Sequence, residues 1–138
     1  MTGPTAEQIN DVLVGFDRLY GLELLDHSET EVRARVQVRD ELKQPAGLVH
    51  GGVYASIAEA ITSLATGLAV LASGRTSMGL SNSTSFLRPI IEGYIHAEAV
   101  ALHRGRTTWV WEVRFTDDDE RLCALTRMTI AVREIRAG

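Results

Sequence analysis

The stretch Gly51-Gly-Val-Tyr-Ala-Ser-Ile-Ala-Glu-Ala-Ile-Thr-Ser-Leu-Ala-Thr-Gly-Leu-Ala-Val-Leu-Ala-Ser-Gly74 decides how the rest of the chain is read. It is apolar on nearly every side and rich in alanine, so a helix formed here has no wide polar face and is expected to be buried. Gly74 stands where a helix C-terminal glycine belongs. Glu59 is the only charged residue in the stretch. Burying an unpaired carboxylate is costly, so a lone one in an apolar helix points to a site, because active sites gather such groups. The competing reading is a glutamate that faces solvent or pairs with a strand arginine. Glu59 also counts against a membrane span over roughly 53–72, since a carboxylate at the bilayer centre costs about 2.5–3.5 kcal/mol. A helix inside a soluble protein is the expectation, with no membrane partner.

Before this helix, Thr5 and Gln8 have the spacing of a capping box. Ile9, Val12, Leu13 and Phe16 then recur at helical spacing, which predicts one helix to about Tyr20, ended by Gly21. Val32, Ala34, Val36 and Val38 alternate with Arg33, Arg35, Gln37 and Arg39 in a half-buried strand, with 22–26 as its hairpin partner. After Gly74 the pattern is strand to the end. The predicted strands are 76–87, closed by Arg88-Pro89, then 94–103, 109–115 and 122–133, with turns at 104–106 and 117–120. Short links between successive strands imply an antiparallel sheet. An α+β architecture follows, an antiparallel sheet curled around one long buried helix, in one domain over residues 1–138.

Composition narrows the function classes. With 45% hydrophobic and 23% charged residues, the 138-residue chain has the balance of an ordinary globular protein. Its net charge of −4 argues against nucleic acid as a partner, because phosphate backbones need a basic face. The single cysteine, Cys123, can form no internal disulfide and reads as a small apolar strand residue, which suits a reducing cytoplasm. The N-terminus has no basic start followed by an apolar run, so no signal peptide is expected. No His, Cys and carboxylate group has metal-ligand spacing, so neither metal nor cofactor is expected.

His50-Gly51-Gly52 opens the long helix. A helix N-terminus presents free N–H groups and partial positive charge, and glycine lets a ligand oxygen approach them. A thioester carbonyl held there would be polarised as in an oxyanion hole; a plain structural turn is the alternative. Glu59 lies about 12 Å further along the helix axis. That separation is too large for one carbonyl, so the two residues would meet only if Gly51 of one chain faces Glu59 of a second.

The run Gln44-Pro-Ala-Gly-Leu-Val-His-Gly-Gly52, five residues, then Ala58-Glu-Ala-Ile-Thr-Ser63 closely resembles the hotdog thioesterases of the phenylacetate and 4-hydroxybenzoyl-CoA type. Within them it is most similar to the branch that includes 1,4-dihydroxy-2-naphthoyl-CoA thioesterase. The resemblance implies the hotdog fold and hydrolysis of an acyl- or aroyl-CoA. It implies that Glu59 attacks the thioester or activates water, and that the Gly51 N–H binds the carbonyl oxygen across a dimer interface. By the same resemblance Gln44 and His50 orient the carbonyl and its loop, and Ser63 positions the carboxylate or water. For His50 the bland alternative is a helix-start histidine that bonds only backbone; for Ser63, a small residue at a tight helix contact. A homodimer at least, and a homotetramer as a dimer of dimers, is further implied. Arg88, Arg106, Thr107 and Thr108 stand at strand ends or turns, where CoA phosphates reach arginines and hydroxyls, with Arg133 and Arg136 as further candidates.

One departure is plain: the dihydroxynaphthoyl type has histidine just before Arg-Pro, where this chain has Ser85, Phe86 and Leu87. Two other functions share the fold. A hotdog dehydratase or hydratase uses a histidine and carboxylate at a different spacing, which is not found. A non-catalytic acyl-CoA-binding protein would not need Glu59 and Gln44.

Overall fold

A computed structural model gives the architecture and describes residues 3–136. The capping box forms as the spacing predicts: the Gln8 N–H donates to Thr5 Oγ1 at 3.1 Å, and the Thr5 N–H donates to Gln8 Oε1 at 2.9 Å. The single N-terminal helix expected to Tyr20 is instead two, α1 (Ala6–Val12) and α2 (Gly15–Leu19). Leu13 and Val14 turn extended, and Gly15 takes a φ of +63° that glycine adopts without strain. The break serves two anchors. Asn10 bonds the N–H and the carbonyl of Leu24, while Tyr20 reaches the Ser56 carbonyl.

Six strands form one antiparallel sheet: β1 (Glu23–His27), β2 (Glu31–Gln37), β3 (Arg75–Phe86), β4 (Tyr94–Arg104), β5 (Thr108–Thr116) and β6 (Leu122–Glu134). Their spatial order is β1-β2-β4-β5-β6-β3. β3 therefore does not pair with its chain neighbour β4. The long helix α3 (Gly51–Leu71) carries the chain across the sheet to the free side of β6, and β3 becomes the far edge. Alternation along each strand sends one set of side chains inward. On the outer face Arg33 lies opposite Glu98, Glu98 opposite Arg114, and Glu112 opposite Arg127, so neighbouring charges alternate in sign.

α3 packs on the inner face through Tyr54, Ile57, Ala58, Ile61, Thr62, Ala65, Thr66 and Val70. Beneath it Trp111, Phe115, Ile95 and Ile130 are fully buried. The polar groups in this layer are paired: the Trp111 indole N–H donates to Thr66 Oγ1 at 2.9 Å, and the Thr66 hydroxyl donates to the Thr62 carbonyl.

The helix is not buried all round, which corrects the sequence expectation. Gly52 and Glu59 are exposed, and Ala55, Ser56, Ala60, Ser63 and Gly67 are half-buried. Small side chains fit equally well under a sheet or at an open surface, so the pattern could not tell the two faces apart. β3 is also open: Met78, Leu80 and Phe86 are each more than half exposed along a 12-residue edge strand. Long, apolar free edges are normally covered.

Candidate active site

The loop before α3 is short and tightly tied. Gly47, at a φ of +89°, turns the chain, and the Gln44 N–H donates to the Leu48 carbonyl. Gln44 Oε1 accepts the Ala46 N–H at 2.6 Å, and its side-chain amide nitrogen has no partner among the described residues. The His50 N–H is bound to the Leu42 carbonyl, fixing the entry to the helix.

His50 is the N-cap of α3, and its Nδ1 accepts the Gly52 N–H at 2.9 Å. That bond requires an unprotonated Nδ1, so a neutral ring carries its proton on Nε2. Among the described residues the histidine bonds backbone only. With the Gly52 N–H taken by His50 and the Val53 N–H bound to the His50 carbonyl, the Gly51 N–H has no partner among the described residues. The helix start therefore offers one free donor, with the positive end of the helix dipole behind it.

Phe86 lies against the start of the helix at Gly51. A Cβ on Gly51 would lie 2.7 Å from Phe86 Cζ, so any larger residue there must push the exposed ring aside. Tyr54 packs against both Phe86 and Phe115, and burial pushes its hydroxyl up to about 12, so the group stays protonated. Sequence reasoning used Phe86 only as a departure and missed this contact.

Glu59 sits two turns further on, exposed, with its carboxylate over β3: a Cβ on Gly79 would lie 3.2 Å from Oε1. Sequence reasoning missed Gly79 as well, although glycine inside a strand signals a close approach. Asn82 holds the strand to the helix between these points, donating to the Ala55 carbonyl at 2.9 Å. Ser63 is one turn beyond Glu59. Its carbonyl accepts the Ser77 hydroxyl at 2.7 Å, while its own hydroxyl makes no hydrogen bond among the described residues.

Within one chain, Gly51 and Glu59 border the same open surface of α3 but stay about 12 Å apart by helical rise. The proposed CoA residues are likewise not gathered. Arg88 follows the end of β3, its N–H bound to the Cys123 carbonyl. Arg106, Thr107 and Thr108 lie at the opposite end, where Arg75 bonds the Arg106 carbonyl and Arg133 bonds the Thr107 carbonyl. The length of β3, on the order of 35 Å, separates them. Arg133 is thereby committed to backbone, and Arg136 is exposed nearby. Among the described residues no three His, Cys, Asp or Glu side chains could hold a metal ion.

Residues 46–124, which span Gly51, Glu59 and the whole of α3, match the thioesterase superfamily. The chain belongs to that superfamily. The superfamily match covers the helix, both candidate residues and β3 to β5, so the six-stranded sheet with its single long helix is the hotdog arrangement expected from sequence. A solved structure of a thioesterase PA1618 variant from Pseudomonas aeruginosa superposes with a TM-score of 0.91 at 32% identity, covering 97% of each chain. A thioesterase from Haemophilus influenzae gives 0.91 at 31% identity, over 99% of this chain and 95% of its own. A 1,4-dihydroxy-2-naphthoyl-CoA hydrolase from Listeria monocytogenes is 30% identical over 123 residues, 89% of this chain and 99% of that protein. The chain is an enzyme of this superfamily, and thioester hydrolysis is its chemistry.

Proposed function

We propose that the protein hydrolyses an acyl- or aroyl-CoA to the free acid and CoA, with Glu59 and Gly51 contributed by two copies of the chain. The observation that carries this reading is the free Gly51 N–H at the start of a helix whose only carboxylate, Glu59, is exposed beside an uncovered strand edge. In the proposed reaction the thioester oxygen accepts the Gly51 N–H, which stabilises the oxyanion as charge moves onto it. The partner's Glu59 either attacks the carbonyl carbon to give an anhydride that water opens, or takes a proton from the attacking water. In both routes the C–S bond breaks and the thiolate leaves as CoA. Gln44, through its free amide, orients the carbonyl; His50 holds the Gly52 N–H and so keeps the Gly51 donor single; Ser63 positions the carboxylate or water.

The shared site would need a two-fold axis, and the open edge strand β3 supports placing it near the middle of that strand. It would cover the open edge, face the small residues of two α3 helices together, and carry Arg106, Thr107 and Thr108 of one chain toward Arg88 of the other. CoA phosphates would then be bound by residues from two chains. A homodimer at least, assembling further to a homotetramer, in the cytoplasm and with one domain over residues 1–138, is the form proposed.

The test is release of free thiol from a panel of acyl- and aroyl-CoA thioesters by the wild type and by Glu59→Gln. A fall in kcat of about 10²-fold or more in the variant supports the reading. No release by the wild type, with CoA compounds still bound, would overturn it in favour of a binding protein. Equal rates in both would remove Glu59 from the chemistry.

A further inference from the structure

We propose that Asn82 is a positioning residue for Glu59, clamping the turn of α3 that carries the carboxylate through a hydrogen-bond relay that starts at buried Thr126. This rests on the reading of Glu59 as the reacting carboxylate.

The side-chain amide of Asn82 donates to the Ala55 carbonyl at 2.9 Å. In the ladder of α3 that same carbonyl accepts the N–H of the residue four further on, which is Glu59. A carbonyl oxygen has two lone pairs and can take both donors. Asn82 therefore holds the peptide group to which the Glu59 backbone is bonded. Gly79, on the same strand, lies under the Glu59 carboxylate. β3 thus meets this turn twice, once through its backbone and once through its side chain.

A β-bulge makes the double contact possible. Residues 79 and 82 are three apart, and in a regular strand they face opposite sides of the sheet. The register to β6 slips between Gly79, opposite Ile130, and Ser81, opposite Thr129, so Leu80 is an extra residue. Asn82 then stands opposite Met128, and Thr84 opposite Thr126. Ile130, Met128 and Thr126 are all buried, so Gly79, Asn82 and Thr84 share the face that α3 covers.

Only one orientation of the amide satisfies its neighbours. The Ala55 carbonyl can only accept, so the amide nitrogen faces it and Oδ1 faces away. Oδ1 receives the Thr84 hydroxyl at 2.8 Å, which uses that hydroxyl's single proton. The 2.9 Å bond between the two threonine hydroxyls is then donated by Thr126. The relay runs one way, from the core of β6 to the helix, and a satisfied network of this kind is rigid.

The test is a double-mutant cycle, with thiol release measured on the acyl- or aroyl-CoA that the wild type turns over fastest. Asn82 is exposed, so Asn82→Ala leaves the core intact. Its kcat is expected to fall about tenfold with KM within about twofold of the wild type, because a displaced reacting group costs rate. In the Glu59→Gln background the same change is expected to alter kcat by less than about twofold, since coupled residues are not additive. Thr84→Val should repeat the loss and Thr84→Ser recover most of it; this pair carries the same cycle should Asn82→Ala fail to fold. Wild-type kcat in Asn82→Ala, or an equal fall in both backgrounds, would overturn the role. A raised KM at unchanged kcat would make Asn82 a substrate contact and overturn it too. A failure of the underlying reading shows without Asn82: either no thioester is hydrolysed or Glu59→Gln is fully active, and the positioning role then falls with it.

Discussion

Glu59 and Gly79 face each other across the junction of α3 and β3, with Glu59 Oε1 only 3.2 Å from where a Gly79 Cβ would stand. Gly79 thus sets how far the carboxylate can reach over the strand. Its φ is not in the left-handed region, so alanine is compatible with the backbone. The added methyl must push the flexible carboxylate aside by a few tenths of an ångström. Gly79→Ala is expected to lower kcat/KM about tenfold while the melting temperature stays close to that of the wild type, because misplacing a reacting group costs rate more than stability. Unchanged kcat/KM in a normally folded Gly79→Ala would separate the carboxylate position from the reaction.

The shared site can be read by complementation. Glu59→Gln removes the carboxylate. Proline at the first helical position removes the Gly51 N–H without breaking the helix, provided Phe86 is also cut back to make room. Glu59→Gln and the Gly51→Pro/Phe86→Ala double variant, each nearly inactive alone, are expected to regain thioester hydrolysis when co-expressed, since a mixed dimer holds one intact site. Activity no higher than that of the parents, with mixed dimers confirmed by mass, would place both residues in a single chain's site or neither.

Thr66 is the acceptor for the buried Trp111 indole N–H. Thr66→Val keeps the shape and leaves that donor unpaired, at a cost of about 1–3 kcal/mol. Thr66→Ser keeps the hydroxyl and is expected to recover part of the loss. Urea unfolding of the three proteins measures both differences.

Asp117 ties the β5–β6 turn. It accepts the N–H groups of Arg121 and Asp119, each at 3.0 Å, and the Arg121 guanidinium at 2.8 Å. The Arg121 N–H bond, above all, holds its carboxyl below the usual carboxylate range. A lowered folded value means stability that is fully present above the ordinary aspartate pKa and lost as pH falls through the folded one. Melting curves of the wild type and Asp117→Asn are therefore expected to differ near neutral pH and to draw together only as the pH falls below about 4 and on through the folded value. A gap that stays constant to about pH 2 would show that the turn owes nothing to ionisation.

Cys123 is 1% exposed in β6, and burial raises its thiol above the ordinary value. Little thiolate is present at neutral pH, so alkylation by iodoacetamide should be slow in the folded protein and fast in urea. Equal rates in the two conditions would contradict the burial.

Much of the fold was legible in the residues. The strands fell where period-two alternation placed them, as in Val32, Ala34 and Val36, because a half-buried strand must send successive side chains to opposite faces. The capping box at Thr5 and Gln8 was equally local, since both bonds close within one turn. The helix break at Leu13 to Gly15 was not, because Asn10 and Tyr20 find their partners in β1 and α3, far along the chain. The Gly51 to Glu59 motif was legible as a spacing, and the loop Gln44 to His50 as its lead-in.

The sequence by itself determined the element types, the family motif and the about 12 Å separation of Gly51 from Glu59, all of which follow from local backbone geometry and residue spacing. Tertiary structure alone decided which side of α3 is open, because alanine, glycine and serine suit both faces. It alone paired β3 with β6, and laid Phe86 over Gly51 and Gly79 under Glu59. Those contacts join residues distant in the chain, and their geometry comes from packing that no local pattern encodes.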